Sequence, residues 1–269
     1  MTIENLVIVG DIAGNFDSFR RLISQTTSGH WILSVGDCID KGRDSSATLR
    51  MFMQSERFKL LLGNHELLLI KTIEELENAE SIYDLSWGLH WLASGGVNTV
   101  DSFLHRRISF ETLWDDLSDF RKSLKKEGVI EFLKLTPTFF YQPGLFVSHS
   151  PIGMKPFKKK IKDLSWDEKV VWAGYDFDQR QWWISNSTDR LVWADCPFKS
   201  LYATLATRRN PTPAGDNLHL FGHMSRWGYK PFCKKQKKDP YAICLDTSRQ
   251  NILTGLEWPS MRMISIGAE

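Results

Sequence analysis

The stretch Phe58-Lys59-Leu60-Leu61-Leu62-Gly63-Asn64-His65-Glu66 sets the reading of this chain. Its apolar run reads as a strand, and its glycine-led tip places an amide, an imidazole and a carboxylate side by side. The Asn64 carbonyl oxygen can bind a cation without adding charge, and His65 can donate a proton because imidazole titrates near neutral pH. The same unit occurs twice upstream. Leu6 to Val9 leads into Gly10-Asp11 and Gly14-Asn15, then Phe16, Phe19, Leu22 and Ile23 at helical spacing. Trp31 to Val35 leads into Gly36-Asp37-Cys38-Ile39-Asp40-Lys41-Gly42, then a helix over Ser45 to Ser55. After Glu66 a third helix is predicted from Leu67 to about Asn78. Three strand-loop-helix units in succession predict an α/β chain with a parallel sheet, and polar tips at the carboxyl ends of its strands are where ligands bind.

Residues 75–135 show helical spacing broken by Gly95-Gly96, and predict a helical cap inserted beside the site. Strand character returns at Leu145-Phe146-Val147 before Ser148-His149-Ser150, at Leu218 to Phe221 before Gly222-His223, and at Ala242 to Leu245 before Asp246. Ile252 to Glu257 and Met261 to Ile266 read as closing strands able to form hairpins. With no repeat and no linker, residues 1–269 read as a single domain.

Composition narrows the class. At 42% hydrophobic and 25% charged, with a net charge of +2, the chain reads as an ordinary globular protein, and its charge does not point to nucleic acid. No apolar run reaches the length of a membrane span and the first residues lack a signal pattern, so the expected location is cytoplasmic. Four scattered cysteines without a Cys-x-x-Cys pair argue against a zinc ribbon or a disulfide scaffold. Eleven tryptophans suit core packing and pocket walls equally. The lysines at 155–162 and 234–238 read first as solvated loops, and otherwise as a rim attracting a polyanion.

The strand-end side chains are Asp11, Asp37, Asp40, Asn64, His65, His149, His223 and Asp246. Carboxylates, imidazoles and one amide, with no thiolate, suit a divalent cation such as Mn, Fe or Zn. Two such ions about 3.5–4 Å apart can clamp a phosphoryl group and the attacking oxygen.

These loops resemble the three signature loops of the calcineurin-like metallophosphoesterases, most closely those of the phosphoprotein phosphatase and diadenosine tetraphosphatase branch. Further matches are Trp91-Leu92-Ala93-Ser94-Gly95-Gly96-Val97-Asn98-Thr99-Val100, Leu145 to His149, Phe221-Gly222-His223 and Leu245-Asp246-Thr247, all in the family's order over about residues 5 to 257. The resemblance implies a four-layer αββα sandwich and two divalent ions, manganese foremost. It also implies hydrolysis of phosphate esters or anhydrides by a metal-bridging hydroxide. By motif, Asp11 would bind the first ion and Asp37 would bridge both. Asn64, His149 and His223 would complete the second site. His65 would protonate the leaving oxygen, oriented by Asp40. Lys41 and Arg43 would meet substrate phosphate, and Asp246 would accept from a metal-bound imidazole. The implied partner is a phosphorylated protein or a nucleotide, with nucleic acid open but not indicated.

Two departures qualify the resemblance. The family's first loop reads Gly-Asp-x-His-Gly, whereas this chain has Gly10-Asp11-Ile12-Ala13-Gly14, so Ala13 stands where a ligand is expected. The first ion and full activity are therefore in doubt. An engineered substitution, a natural site with weakened activity, and an inactive binding or regulatory protein all fit. Lys41 stands where the family has arginine, and its point charge cannot reproduce a guanidinium's planar fork. The family's later phosphate-binding arginine has no clear counterpart near Trp172-Ala173-Gly174 or Trp193-Ala194-Asp195, leaving Arg180 or Arg190 as candidates.

Overall fold

The computed structural model describes residues 3–149, 218–223, 232–236, 239–248 and 251–267. Three parallel strands, β1 (Leu6–Val9), β2 (Trp31–Ser34) and β3 (Phe58–Leu60), form three of the five strands of a first sheet. An antiparallel pair completes it, β9 (Ile252–Trp258) and β10 (Arg262–Gly267), in the order β10-β9-β1-β2-β3. The second sheet has β4 (Phe139–Gln142), β5 (Leu145–Ser148), β6 (Leu218–Phe221), β7 (Phe232–Gln236) and β8 (Asp239–Cys244), ordered β4-β5-β6-β8-β7. Within it β5, β6 and β8 run parallel.

The alternation of side chains along β1 shows how the layers assemble. Leu6 and Ile8 enter a buried cluster with Leu33, Val35, Leu61, Leu145, Val147, Leu220 and Ile243, which is the core between the two sheets. Val7 and Val9 point the other way, into a cluster with Phe19, Leu49, Leu68, Trp91, Phe120 and Leu133 from the helices. A strand apolar on both faces is what a sandwiched sheet demands. The fold is thus the expected αββα class, with helices on the outer face of the first sheet. Among the described residues no helix packs on the outer face of the second sheet.

The helices are α1 (Phe16–Ser24), α2 (Ser45–Gln54), α3 (Asn64–Glu75), α4 (Ser86–Trp91), α5 (Val97–Leu104), α6 (Leu113–Glu127) and α7 (Val129–Leu135). Side chains of α4 to α7 share one continuous core with α1 to α3 rather than forming a detached lobe. No helix among the described residues is long and apolar enough to cross a membrane.

Three local readings needed revision. Helix α3 begins at Asn64 rather than Leu67, because Gly63 is extended (φ −91°, ψ 174°) and its amide donates to the Glu66 carboxylate at 2.9 Å, closing the first turn. Strand β4 was not foreseen. Phe139-Phe140-Tyr141 is half-buried at a sheet edge and carries no polar-apolar alternation. Lys234 and Lys235 belong to strand β7, with a register shift between them, rather than to a loop. Among the described residues β7 is the outermost strand of its sheet, a position where lysine is common because charge discourages further strand pairing. The Lys155–Lys162 run lies outside the described residues.

Candidate metal and phosphoryl-transfer site

Six parallel strands end on the same side of the sandwich, and each end carries one polar residue. Asp11 follows β1, Asp37 follows β2, Asn64 follows β3, His149 follows β5, His223 follows β6 and Asp246 follows β8. All but His223 are buried. The turns are tight enough to force the left-handed region at five non-glycine positions: Ala13 (φ 51°), Asp37 (52°), Asp40 (69°), Lys41 (57°) and His223 (63°). Such conformations cost about 1–3 kcal/mol each and collect at functional sites.

The donor atoms of Asp37, His149 and His223 lie within 4.8 Å of one another, the one group of three or more such donors able to hold a metal ion among the described residues. The Asn64 side-chain oxygen lies 2.9 Å from His149 Nε2 and 2.8 Å from His223 Nδ1, and Asp37 Oδ1 lies 3.3 Å from His149 Nε2. The tautomer of His149 makes this convergence informative. Its Nδ1 is 3.1 Å from the Val35 carbonyl, which can only accept, so Nδ1 carries the proton. Burial foremost lowers its pKa to about 4, so the ring is neutral and Nε2 presents a lone pair. A lone pair, a carboxylate oxygen and an amide oxygen aimed at one another need a cation between them, so the donor set fits a divalent ion.

Asp37 is tied down from several sides. Burial opposes its ionisation, yet the facing imidazoles of His149, His65 and His223 and the Lys41 ammonium hold it below the usual carboxylate range. Its Oδ1 accepts from the His65 amide at 3.0 Å. Glu66 locks the loop around it. One carboxylate oxygen accepts from the amides of Asp37 (2.8 Å) and Gly63 (2.9 Å), and the other from Cys38 (2.7 Å). Burial first, and then the Asp37 charge, push Glu66 up to about 7 against the pull of these amides. Sequence reasoning placed Glu66 only at a helix start. Its fixing of the second loop was missed, because a buried acid facing backbone amides has no pattern of its own.

Beside this cluster stands an imidazole–carboxylate pair. His65 Nδ1 lies 2.6 Å from Asp40 Oδ2, and its Nε2 lies 3.7 Å from Asp37 Oδ2. Burial would lower the His65 pKa, but Asp37 and Asp40 outweigh it and raise the value to about 9, leaving the ring cationic at neutral pH. Asp40 is fully buried and accepts two further bonds, from Trp91 Nε1 (2.9 Å) and Thr99 Oγ1 (2.6 Å). Both partners come from the stretch Trp91 to Val100, quoted above without roles. Gly96 in it lies so close to the indole that a Cβ would fall 2.5 Å from ring carbons, and a Cβ on Gly95 would fall 2.9 Å from the Lys41 amide. Asn98 donates its side-chain amide to the Lys41 carbonyl. The whole stretch therefore wraps the Asp40–Lys41 corner, and its glycines are there for close approach.

On the opposite side, Asp11 turns both carboxylate oxygens toward the His223 amide, each at 3.2 Å. Burial foremost, then the charges of Asp246 and Asp37, raise its pKa well above the ordinary value. Ala13 donates its amide to the Asp37 carbonyl and accepts from Gly42 N, both at 2.8 Å, but has no ligand atom to offer. Asp246 Oδ1 accepts from Ser248 N (3.0 Å) and Ser248 Oγ (2.7 Å). The His149 imidazole faces the Val35 carbonyl. Arg43 is exposed and makes no bond to the site's side chains among the described residues. Arg180, Arg190 and the segments around Trp172 and Trp193 lie outside those residues.

Comparison with known proteins agrees with this geometry. Residues 5–194 match the family model of the calcineurin-like phosphoesterases. A symmetrical bis(5'-nucleosyl)-tetraphosphatase from Shewanella oneidensis is 39% identical over 213 residues, covering 78% of this chain and 61% of that protein. The chain thus matches under two thirds of that relative's length. A zinc-dependent endopolyphosphatase from Saccharomyces cerevisiae is 36% identical over 72 residues, 25% of this chain and 22% of that one. A crystal structure provisionally assigned as a diadenosine tetraphosphatase covers 100% of this chain and 96% of its own, at a TM-score of 0.50 and 18% identity, a likeness of fold. By family model and by fold, the chain belongs to the calcineurin-like phosphoesterases.

Proposed function

We propose that the chain hydrolyses phosphate esters or anhydrides of nucleotides, using a divalent ion held by Asp37, Asn64, His149 and His223. The observation that carries this reading is the cationic His65–Asp40 pair placed against Asp37, beside a donor cluster that fits an ion. When bound, a divalent ion there supplies Lewis-acid polarisation of a phosphoryl oxygen and acidifies water; manganese is the expected ion, with iron or zinc as alternatives. His65 Nε2 then gives its proton to the departing oxygen while Asp40 keeps the imidazole oriented and charged. Lys41 supplies positive charge toward the phosphate, and Arg43 is free to follow the substrate at the rim. Nucleotides are preferred over phosphoproteins because the relative matched over most of this chain is a dinucleoside tetraphosphatase.

A second reading is favoured by Ala13: a phosphatase-like binding or regulatory protein with little turnover. The experiment measures release of nucleotide from diadenosine tetraphosphate, and of phosphate from a phosphopeptide, with manganese present. The expected result is slow cleavage of the dinucleotide by the wild-type chain and a rise of roughly tenfold or more in Ala13→His. If neither chain cleaves any phosphate compound with manganese or iron, the hydrolase reading falls and the binding reading takes its place. Cleavage of the phosphopeptide alone would overturn the substrate class.

A further inference from the structure

Two divalent ions are implied by family resemblance, but the residues on the Asp11 side do not fit one. Ala13 presents only a methyl group. Asp246 Oδ1 is engaged by Ser248 through two hydrogen bonds. Asp11 has turned both oxygens to the His223 amide, and Asp37 already belongs to the cluster with His149 and His223. Among the described residues that leaves Asp11, the shared Asp37 and the second oxygen of Asp246, with no neutral nitrogen donor. Divalent transition ions at N/O sites bind through more ligands than this, in fixed geometry.

The carboxylates still require a counter-charge, and the fold supplies one. Lys41 follows Asp40 in the second loop, its backbone held in the left-handed region at φ 57°. Its carbonyl takes the Asn98 side-chain amide and its amide abuts Gly95, where a side chain would collide. Residue 41 is therefore pinned at the wall of the site rather than left on a free loop. Burial acts against its charge, but Asp37, Asp11, Asp246 and Asp40 together outweigh that and hold the ammonium more firmly protonated than a free lysine. A lysine ammonium is a compact point charge on a flexible stem.

We propose that this chain is a single-ion phosphoesterase: one divalent cation sits among Asp37, Asn64, His149 and His223, and the positive charge of Lys41, pinned by its backbone at the wall of the site, takes the place of a second ion. The proposal rests on the hydrolase reading for its chemistry but is tested without turnover. The full-length protein is stripped with chelator, loaded with excess manganese(II), freed of unbound ion, and assayed for metal content and by electron paramagnetic resonance. The expected result is one manganese per chain with the spectrum of an isolated ion. Ala13→His is expected to take up a second ion and show the broadened spectrum of a coupled pair. Lys41→Ala is expected to bind its first ion roughly fivefold more tightly by calorimetry, since a cationic neighbour has been removed. His149→Ala, checked for folding by circular dichroism, is expected to lose the ion. Two coupled ions in the wild-type chain would overturn the proposal. An unchanged affinity in Lys41→Ala would remove the lysine's part in it. One bound ion with no hydrolysis of any phosphate compound would count against the hydrolase reading and leave the stoichiometry standing.

Discussion

Replacing Trp91 by phenylalanine tests whether the stretch from 91 to 100 supports the proton donor. The buried Asp40 carboxylate accepts from His65, Trp91 and Thr99, at 2.6, 2.9 and 2.6 Å. The substitution keeps an aromatic ring, which stacks on Phe120 at a centroid distance of 5.8 Å, but deletes the indole N–H. Losing a hydrogen bond to a buried charged group costs about 1.5–3 kcal/mol. The smaller ring leaves a void between Phe120 and Gly96, adding about 1 kcal/mol. Together these give roughly 3 kcal/mol, or a fall of about 6–12 °C in Tm for a chain of this size. Deprived of one donor, Asp40 Oδ2 directs more of its charge at His65 Nδ1, so the His65 pKa should rise above its already elevated value. Urea unfolding of the chelated protein measures the first quantity, and proton NMR titration of the His65 ring measures the second. A stability loss under about 1 kcal/mol together with an unmoved His65 titration would refute this account of the Asp40 network.

Other outcomes follow from the same site. Glu66→Gln leaves one carbonyl oxygen where two carboxylate oxygens accept three amides, and turns an NH2 group toward at least one N–H. It should cost about 3 kcal/mol and weaken manganese binding, and a wild-type melting curve with unchanged metal affinity would show that the second loop holds without it. The imidazoles of the metal-free chain also make its stability depend on pH. His65, raised to about 9, contributes fully below its ordinary value of 6.5 and loses that contribution, about 3 kcal/mol, as pH rises through 9. His149 and His219, lowered by burial to about 4 and about 3, contribute above pH 6.5 and lose it as pH falls through those values. Thermal melts between pH 4 and 9.5 check both limbs, and a stability that climbs steadily from 6.5 to 9 would contradict the His65 limb.

Much of this arrangement was legible in the residues for a definite reason. Apolar runs ending in a polar residue, four of them through a glycine, marked all six strand tips, because backbone alternation and tight turns leave strong local traces. Thus Asp11, Asp37, Asn64, His149, His223 and Asp246 arrive where the strands end. Contacts that depend on long-range closure left no such trace. Nothing local shows that Glu66 accepts from Asp37 and Cys38, or that Asp246 turns to Ser248. Trp91 and Thr99 were visible only as a motif, since their common partner Asp40 lies more than fifty residues upstream. The start of α3 at Asn64 was hidden because its first turn carries site residues rather than apolar periodicity.

The donor cluster draws on both sheets: Asp37 and Asn64 come from the tips of the first, His149 and His223 from the second. Its closest pairings span 85 residues between Asn64 and His149 and 159 between Asn64 and His223, while Asp11 and His223 are 212 apart. Closures of that length, like the β1–β9 ladder that pairs Leu6 with Trp258, bring together parts of the chain far apart in sequence. The site therefore exists only once the two sheets have met, and a chain caught before that has strands and helices but nowhere to keep an ion. Metal uptake during refolding marks the moment when the two sheets dock.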